Sequence, residues 1–304
     1  MVNVLNACPF NLKDGKERIL WEITPRCNMN CKHCLFYMGN GKKCSDEITM
    51  EQAFEIIDNI KKDKSIKAIW ISGGEPLLRK DIVEICKYIK EAGIKPSIST
   101  NGVLLTEELI EKLYNAGVEY MHLSIDGATA QTHNNLRGVP QAFEILMDKM
   151  ELLKTFPINV GASFMVTEES IDEIDGVLEI AKSKNLNVIS FYLVAELGRG
   201  AINFKKEKFE LAKKLYEKIN SIDRNRYPGL KIEMFRANRS YLDDNDIIQE
   251  CKGYNFFNIT YDGNLGGCPW LMKSEHAFTV RKFIKWRFYS TKRKMFKWNE
   301  KTYK

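Results

Sequence analysis

Apolar and polar positions alternate in two different rhythms along most of this chain. Short apolar runs typical of strands are separated by longer stretches in which apolar residues recur at helical spacing. Strands that alternate with helices predict βα units around a parallel sheet. The six strand-like runs are residues 19–23, 68–72, 96–100, 120–125, 159–166 and 188–194.

Helix-start signals fall between these runs. Thr49 with Gln52 and Ser170 with Glu173 fit the capping-box pattern, in which two side chains satisfy free backbone N–H groups. Thr106 stands before another amphipathic stretch. Each strand is therefore followed by a helix, as in a doubly wound sheet or a partial barrel. In both architectures, functional residues collect at the carboxyl ends of the strands.

The rhythm changes beyond the sixth strand. A long charged helix is predicted over 205–222, and no further βα unit is predicted after it. The stretches 256–259 and 264–268 flank Asp262-Gly263 and predict a hairpin, because Asp-Gly is a favoured hairpin turn. The change of rhythm predicts a domain boundary within residues 200–225.

Composition limits the class of protein. With 304 residues, 44% of them hydrophobic, the chain can bury a barrel-sized core. It has no apolar run of membrane-spanning length and no export signal, so we expect a soluble, cytoplasmic protein that does not bind membranes. In the reducing cytosol its eight cysteines are expected to be metal ligands or free thiols.

The net charge of +6 comes from one end of the chain. Residues 273–304 carry eleven Lys or Arg and two acidic residues, so the rest of the chain is slightly acidic. Aromatic residues interleave with this basic tail, as in arms that bind nucleic acid or an acidic peptide. A solvated, partly helical end has the same composition, and no recognised binding module accompanies the charge. We therefore expect no nucleic-acid partner.

The strongest chemical signal follows the first strand directly. Cys27, Cys31 and Cys34 lie within eight residues, and three thiolates so close in sequence can converge on one iron-sulfur cluster. The run lacks a fourth ligand, which leaves one iron open to an exogenous group. A zinc site completed by His33 or a distant cysteine, or unligated thiols, are the alternatives.

This motif resembles that of the radical S-adenosylmethionine (radical SAM) superfamily, which has the same cysteine spacing. The family usually has an aromatic residue before the third cysteine, near the adenine, and His33 occupies that place. The second strand ends in Gly73-Gly74-Glu75, which matches the family's Gly-Gly-Glu motif. Glycines let a backbone approach a ligand closely, and by resemblance Glu75 and the turn carbonyls accept hydrogen bonds from the methionine ammonium.

Further strand ends carry side chains at positions that match the family. By resemblance, Ser99 and Asn101 after the third strand and Ser124 after the fourth reach the ribose and the methionine end of the cofactor. Arg137 would pair with the methionine carboxylate, and Leu193 at the end of the sixth strand would also contact the cofactor. Each assignment has ordinary turn or packing chemistry as its structural alternative.

Residues 191–200 resemble the sixth-strand end of enzymes with a C-terminal SPASM or twitch extension. Those include peptide maturases, sulfatase-activating enzymes and enzymes of haem and quinone cofactor biosynthesis. Cys251, Gly263 and Cys268 have the spacing of that extension, whose cysteines contribute to an auxiliary cluster. No cysteine follows Cys268, so we expect a truncated extension without a complete auxiliary cluster, unless other cysteines are recruited. The candidates for recruitment are Cys8, Cys44 and Cys86.

The resemblance implies an α/β fold, a partial (β/α)6 TIM-like barrel with a small C-terminal α+β extension. It implies a 4Fe-4S cluster held by the three clustered cysteines, S-adenosylmethionine as second cofactor, and an electron donor such as flavodoxin or ferredoxin. We divide the chain into a barrel (17–225), a SPASM-like or twitch-like region (226–272) and a basic tail (273–304).

The implied activity is that of a radical SAM oxidoreductase or maturase. Such an enzyme cleaves S-adenosylmethionine reductively to a 5'-deoxyadenosyl radical, which abstracts hydrogen from a substrate. The preferred substrate is a peptide or protein side chain undergoing maturation. A small-molecule substrate in haem or other cofactor biosynthesis is the runner-up, and a non-catalytic metal-binding remnant is the rival from another class.

Overall fold

The computed structural model describes residues 17–35, 47–194, 198–204, 208–235 and 257–266. The strands in these ranges are β1 (Glu17–Thr24), β2 (Ile66–Gly73), β3 (Lys95–Thr100), β4 (Tyr120–Ser124), β5 (Asn159–Val166), β6 (Val188–Leu193), β7 (Lys231–Phe235), β8 (Phe257–Ile259) and β9 (Leu265–Gly266). The helices are α1 (Met50–Ile60), α2 (Ile82–Glu91), α3 (Glu107–Asn115), α4 (Ala130–Arg137), α5 (Ala142–Leu153), α6 (Ile174–Ser183), α7 (Gly198–Asn203) and α8 (Lys208–Ser221).

All the described strands belong to one sheet, in the order β7-β6-β5-β4-β3-β2-β1-β8-β9. Neighbouring strands are parallel from β7 to β8, and only β8 and β9 pair antiparallel. Within the described part of the chain, β7 and β9 are the two edges, so the sheet is an open, partial barrel. The predicted α/β class with a partial TIM-like barrel is confirmed.

The two faces of the sheet have different partners. Alternate residues such as Ile69, Ile98 and Phe164 pack in one large core with the apolar sides of the helices. The residues between them form the inner face, which is turned towards the barrel interior. Leu20 and Trp70 on that face form a separate small cluster. The helix-facing core stabilises the fold, whereas the inner face carries a mixture of polar and aromatic side chains.

The six predicted strands are confirmed by β1 to β6, and the predicted long helix by α8. The strand β7 was not predicted: α8 leads into it, and it pairs parallel with β6. The expectation that no further βα unit follows stays a prediction. Lys231 and Glu233 alternate with Ile232 and Met234 in this strand. That alternation breaks up the apolar run by which the other strands were recognised.

The predicted hairpin is confirmed by β8 and β9. Its position was not predicted: β8 lies beside β1, with Leu20 opposite Asn258. Strands on both sides of the predicted boundary after residue 225 therefore belong to one sheet. The division of the chain into a barrel and a C-terminal region stays a prediction.

Two of the three predicted helix caps are confirmed. The Thr49 hydroxyl accepts the backbone N–H of Gln52 at 3.3 Å, and the Gln52 side chain accepts that of Thr49 at 2.9 Å. The Thr106 hydroxyl accepts the backbone N–H of Leu109 at 3.2 Å. These caps depend on residues three apart, which is why the local sequence was enough to predict them.

The predicted capping box at Ser170 is wrong. The Ser170 hydroxyl accepts the Thr167 backbone N–H at 3.0 Å instead of capping the helix that follows. Glu173 accepts the backbone N–H groups of Ala128 and Thr129, just before α4. Its carboxylate thus serves the N-terminus of another helix, where a negative charge is favourable.

None of the described helices has the length and apolar character that a bilayer crossing needs.

Candidate functional site

The three motif cysteines lie together beyond the carboxyl end of β1. The loop that carries them, residues 27–34, is called the Cys loop below. Cys31 is buried, whereas Cys27 and Cys34 are half-buried. All three thiols pack in one cluster with the buried side chain of Met29. The structure therefore brings the predicted cysteines to one place at a strand's carboxyl end.

The Gly-Gly turn after β2 supports the start of the Cys loop. The Gly74 N–H donates to the Thr24 carbonyl and the Glu75 N–H to the Arg26 carbonyl, both at 2.7 Å. A Cβ on Gly73 would lie 2.4 Å from the Thr24 oxygen, and one on Gly74 2.1 Å from the Arg26 oxygen. The glycines are thus required by a close approach to protein backbone. Their predicted approach to a ligand stays a prediction.

The Glu75 carboxylate braces the turn after β2 against the end of β3. It accepts hydrogen bonds from the Thr100 hydroxyl at 2.7 Å, the Asn101 N–H at 2.8 Å and the Leu77 N–H at 3.1 Å. Burial raises the pKa of Glu75, and these hydrogen bonds oppose the rise. Asn101 in turn donates from Nδ2 to the Oδ1 of Asn28 in the Cys loop, at 2.7 Å. The predicted contact of Glu75 with the methionine ammonium stays a prediction.

Two helices hold the other side of the Cys loop. The Lys32 N–H donates to the Leu136 carbonyl near the end of α4, at 2.8 Å. Arg199 at the start of α7 donates from its backbone N–H to the Cys34 carbonyl at 2.9 Å and from Nε to the Cys31 carbonyl at 2.7 Å. Arg199 belongs to the segment 191–200, on which the prediction of a C-terminal extension was based. Through Arg199 this segment is hydrogen-bonded directly to the Cys loop.

A buried charged network lies against one of the cysteines. Asp126 accepts the Met165 N–H at 3.0 Å, and its Oδ2 lies 2.5 Å from Arg137 Nε and 3.4 Å from His33 Nε2. The Arg137 contact is an ion pair without good hydrogen-bond alignment. Arg137 also donates from Nη1 to the Cys31 Sγ at 3.7 Å. A guanidinium held by a buried carboxylate thus points at a thiol of the Cys loop.

The charges of this network stabilise one another. Burial opposes ionisation of Asp126, but the Arg137 guanidinium and the neighbouring histidines hold its pKa below the usual value. The pKa of Arg137 is raised because Asp126 and Cys31 outweigh its desolvation. Burial lowers the pKa of His33 to about 4, so this imidazole is neutral at pH 7. The site therefore combines one buried ion pair with a neutral ring.

The residues present fit a cluster held by three thiolates. Burial raises the pKa of Cys27 to about 11, so only a bound cation keeps that thiol deprotonated at neutral pH. Three thiols on one short loop are the donor set of a cluster that leaves one iron open. The zinc site considered as the alternative stays untested.

Other predicted residues lie at the same edge of the sheet, with partners of their own. The Ser99 hydroxyl accepts the Trp70 indole N–H at 2.5 Å, on the inner face below the edge. Ser124 is half-buried at the end of β4, and Leu193 is buried at the end of β6. Their predicted contacts with S-adenosylmethionine stay predictions, as does that of Arg137 with its carboxylate.

Several predictions fall outside the described residues. Cys251 and Cys268, proposed for a remnant auxiliary site, and the basic tail 273–304 belong to this group, as do Cys8 and Cys44. Cys86 is described, and it lies fully buried in the helix-facing core. It behaves as a small apolar side chain there, as its helical pattern indicates.

Sequence reasoning missed some residues that build the site. Asp126 follows Ser124 at a strand end that by resemblance reaches the cofactor, but its contact with Arg137 was not predicted. Arg199 lies in the segment 191–200 that resembles the family, and Asn28 lies between two motif cysteines, but no contact of either with the rest of the site was predicted. The sequence did contain one signal by which these residues could have been found. Each is a charged or amide residue in or beside a motif loop, and such a group needs a hydrogen-bond partner when it is buried.

The sequence profile of the Radical SAM superfamily matches residues 21–181, which include the Cys loop and the Gly-Gly-Glu turn. The chain belongs to the radical SAM superfamily. Members of this family are enzymes whose cofactors are a 4Fe-4S cluster and S-adenosylmethionine, and Cys27, Cys31 and Cys34 are the residues that fit the cluster here.

Individual radical SAM proteins are similar to this chain. The AdoMet-dependent heme synthase of Methanosarcina barkeri is 38% identical over 211 residues, which cover 68% of this chain and 58% of that protein. The Fe-coproporphyrin III synthase of the same organism is 31% identical over 189 residues, covering 62% of this chain and 47% of that protein. The chain thus spans about half the length of these curated relatives.

A solved structure shows the same fold. Streptococcus suis SuiB bound to S-adenosylmethionine superposes with a TM-score of 0.72 at 17% identity, covering 88% of this chain and 63% of SuiB. At that identity the likeness concerns the radical SAM fold alone. It confirms the partial barrel and carries no information on the substrate of this chain.

Proposed function

We propose that this chain is a radical SAM enzyme that abstracts hydrogen from an iron porphyrin precursor in the biosynthesis of a haem-type cofactor. The observation that supports this most is the 38% identity to an AdoMet-dependent heme synthase over 211 residues. The second relative is also named for an iron porphyrin product. These similarities favour the runner-up of the sequence analysis over peptide maturation, which was its preferred interpretation.

The residues of the chain have separate tasks in this proposal. Cys27, Cys31 and Cys34 hold the cluster, and the contacts of Arg199 and the Gly-Gly turn keep their loop in one conformation. When bound, the cluster and S-adenosylmethionine supply a carbon radical that abstracts a hydrogen atom. The inner face of the sheet binds and orients the substrate beneath the edge where the Cys loop lies. A flavodoxin or ferredoxin is proposed as the electron donor.

The test uses anaerobically reconstituted protein with dithionite, S-adenosylmethionine and Fe-coproporphyrin III. We expect 5'-deoxyadenosine to form faster when the porphyrin is present, and the mass of the porphyrin to change. Replacing Cys31 by Ala should abolish both signals, whereas Cys86→Ala is the matched control because Cys86 lies in the core away from the Cys loop. Cleavage of S-adenosylmethionine without any binding or change of the porphyrin would contradict the proposed substrate.

We also propose that residues 226–272 form a SPASM-like or twitch-like region that lacks a complete auxiliary cluster. Only Cys251 and Cys268 have the family spacing there, and two thiolates leave an iron cluster exposed and readily lost. Reconstituted protein should then contain about four irons per chain. A content of about eight irons, falling to about four when both cysteines are replaced, would show that other ligands complete a second cluster.

A further inference from the structure

The inner face of the sheet carries small hydroxyl side chains beside a few large ones. The interior of a closed TIM barrel is filled by bulky branched residues such as Val, Ile and Leu. Here five half-buried serines share the inner face with Leu20, Trp70, Tyr120 and His122. Serines occupy less space than branched residues, and their hydroxyl groups suit a ligand with polar groups. These serines are Ser72, Ser97, Ser99, Ser124 and Ser163.

His122 lies in the middle of this face and is 6% exposed. Its Nδ1 is 2.9 Å from the Tyr120 hydroxyl, and its ring contacts the Trp70 indole edge-on with centroids 5.3 Å apart. A Cβ on Gly161 in the next strand would lie 2.1 Å from the Tyr120 hydroxyl and 2.9 Å from His122 Nδ1. Glycine at that position therefore lets the two side chains meet.

The hydrogen-bond partners assign the protonation of the ring. Among the described residues, Tyr120 has only His122 Nδ1 as hydrogen-bond partner, and His122 Nε2 has none. If the phenol donates to Nδ1, both groups at the contact are satisfied and only one N–H, at Nε2, lacks a partner. The opposite tautomer leaves both the phenol hydrogen and the Nε2 lone pair unused. The first arrangement is favoured because it leaves fewer polar groups unsatisfied.

The Nε2 position is therefore a neutral donor on the barrel interior. Burial lowers the pKa of His122 to about 4, so the ring carries no charge at pH 7. A buried donor without an acceptor costs free energy, and a ligand acceptor placed there recovers it. Glu233 and Arg18 act on the neighbouring Tyr120 phenol with opposite charges, so the negative charge of Glu233 is opposed there by a guanidinium. The Arg18 guanidinium lies over the Trp70 ring, 6.0 Å from the centroid, and adds a positive charge below the serines.

We propose that His122 donates a hydrogen bond from Nε2 to a carboxylate arm of the substrate inside the partial barrel. A carboxylate on a flexible carbon chain is narrow enough to pass between the serines, and as an acceptor it matches a lone N–H donor. This proposal rests on the proposed function, because iron porphyrin precursors such as Fe-coproporphyrin III carry carboxylate arms. It adds a specificity-determining residue that lies away from the Cys loop.

The experiment compares two ligands on three forms of the reconstituted protein. Absorbance titrations would measure the affinity of Fe-coproporphyrin III and of iron etioporphyrin, which has no carboxylate, for wild type, His122→Phe and His122→Gln. We expect His122→Phe to bind Fe-coproporphyrin III about tenfold or more weakly. The affinity for iron etioporphyrin should not change, and His122→Gln should recover most of the loss because its amide still donates near the Nε2 position.

Other outcomes overturn the proposal in distinguishable ways. An equal loss of affinity for both porphyrins in His122→Phe would show that the ring only packs, and no loss for either would show that Nε2 is not used. If wild type binds neither porphyrin saturably, the proposed function fails as well. Tyr120→Phe is the second variant, because it leaves the ring in place and removes the group that sets its tautomer. A loss of affinity for Fe-coproporphyrin III alone is expected from it too, smaller than that of His122→Phe.

Discussion

The Nη1 of Arg137 lies 3.7 Å from the Sγ of Cys31, although 106 residues separate them in the chain. Asp126 holds the guanidinium from the other side, with Oδ2 2.5 Å from Nε. Hydrogen bonds and charges at the ligand sulfurs are among the factors that set the reduction potential of iron-sulfur clusters. The contact therefore gives the chain a means of adjusting a cluster held by Cys31.

Replacing Arg137 by Gln should make the cluster harder to reduce. The change removes a positive charge beside a thiolate, so an added electron is stabilised less and the midpoint potential becomes more negative. An EPR-monitored redox titration without S-adenosylmethionine measures this effect separately from any contact with the cofactor. Lys87→Gln on the exposed face of α2 is the matched control. An unchanged potential in Arg137→Gln would show that the N–H does not act on the sulfur.

Glu75→Ala should destabilise the protein. The change leaves the Thr100 hydroxyl and two backbone N–H groups without their buried acceptor, which costs about 2–4 kcal/mol in the free energy of unfolding. Denaturant unfolding measures it, and Glu84→Ala at an exposed position of α2 should stay within about 0.5 kcal/mol of wild type. Unchanged stability with a loss of affinity for S-adenosylmethionine would assign Glu75 to the cofactor alone.

Gly74→Ala should impair the Cys loop by a steric effect. The added methyl group would lie 2.1 Å from the Arg26 carbonyl oxygen, so the turn or the chain entering the loop has to move. We expect less iron per chain after reconstitution and a lower melting temperature. Gly93→Ala is the control for a strained glycine substitution without a clash, because a Cβ there meets nothing within 4 Å while its φ of +77° disfavours alanine. It should lower the melting temperature and leave the iron content unchanged. Equal iron contents in the two variants would contradict the tight approach at Gly74.

Stability should fall as the pH drops from about 6.5 towards 4, in part through His122. Burial lowers its folded pKa to about 4, whereas the unfolded value is about 6.5. Between these values the unfolded state binds the proton and the folded state does not, so unfolding becomes more favourable with acid. His122 should contribute about 1.4 kcal/mol per pH unit in that window.

The contribution of His122 is measured as a difference between two proteins. Urea unfolding of wild type and His122→Phe from pH 7 to 4 cancels the other titrating groups, including Glu75, whose raised pKa acts in the opposite direction. The slope of stability against pH should be smaller in the variant. Parallel curves would show that the ring is solvated enough to take up its proton in the folded state.

Local sequence was enough for the elements whose signals are local. Thr49 and Gln52 are three residues apart, so their mutual hydrogen bonds were predictable, and the apolar runs of the first six strands were recognisable in the same way. The cysteine spacing likewise placed three thiols on one short loop. These features depend on neighbours along the chain, and their energetics change little with the rest of the fold.

Features that depend on distant partners could not be predicted. Nothing in residues 257–259 indicates that they lie beside β1, and Asp126 looks like a turn residue until Arg137 is brought to it. Glu173 has the sequence position of a capping-box partner, but its carboxylate accepts the backbone N–H groups of Ala128 and Thr129, which are more than 40 residues away. In each case a contact formed by the folded chain outweighs the local preference.

The hydrogen bonds of Arg199 to the Cys loop set a minimum length for any active fragment of this protein. A piece ending at Leu193 would keep every cysteine of the motif and the strands beneath them, yet it would lack both hydrogen bonds from Arg199 to the carbonyls of Cys31 and Cys34. In such a fragment, ordering the Cys loop would cost conformational entropy that only the binding of iron could offset, so its affinity for the cluster would be lower. Domain swaps or minimised versions of the enzyme should therefore take their junction beyond α7, and not at the end of the sixth strand.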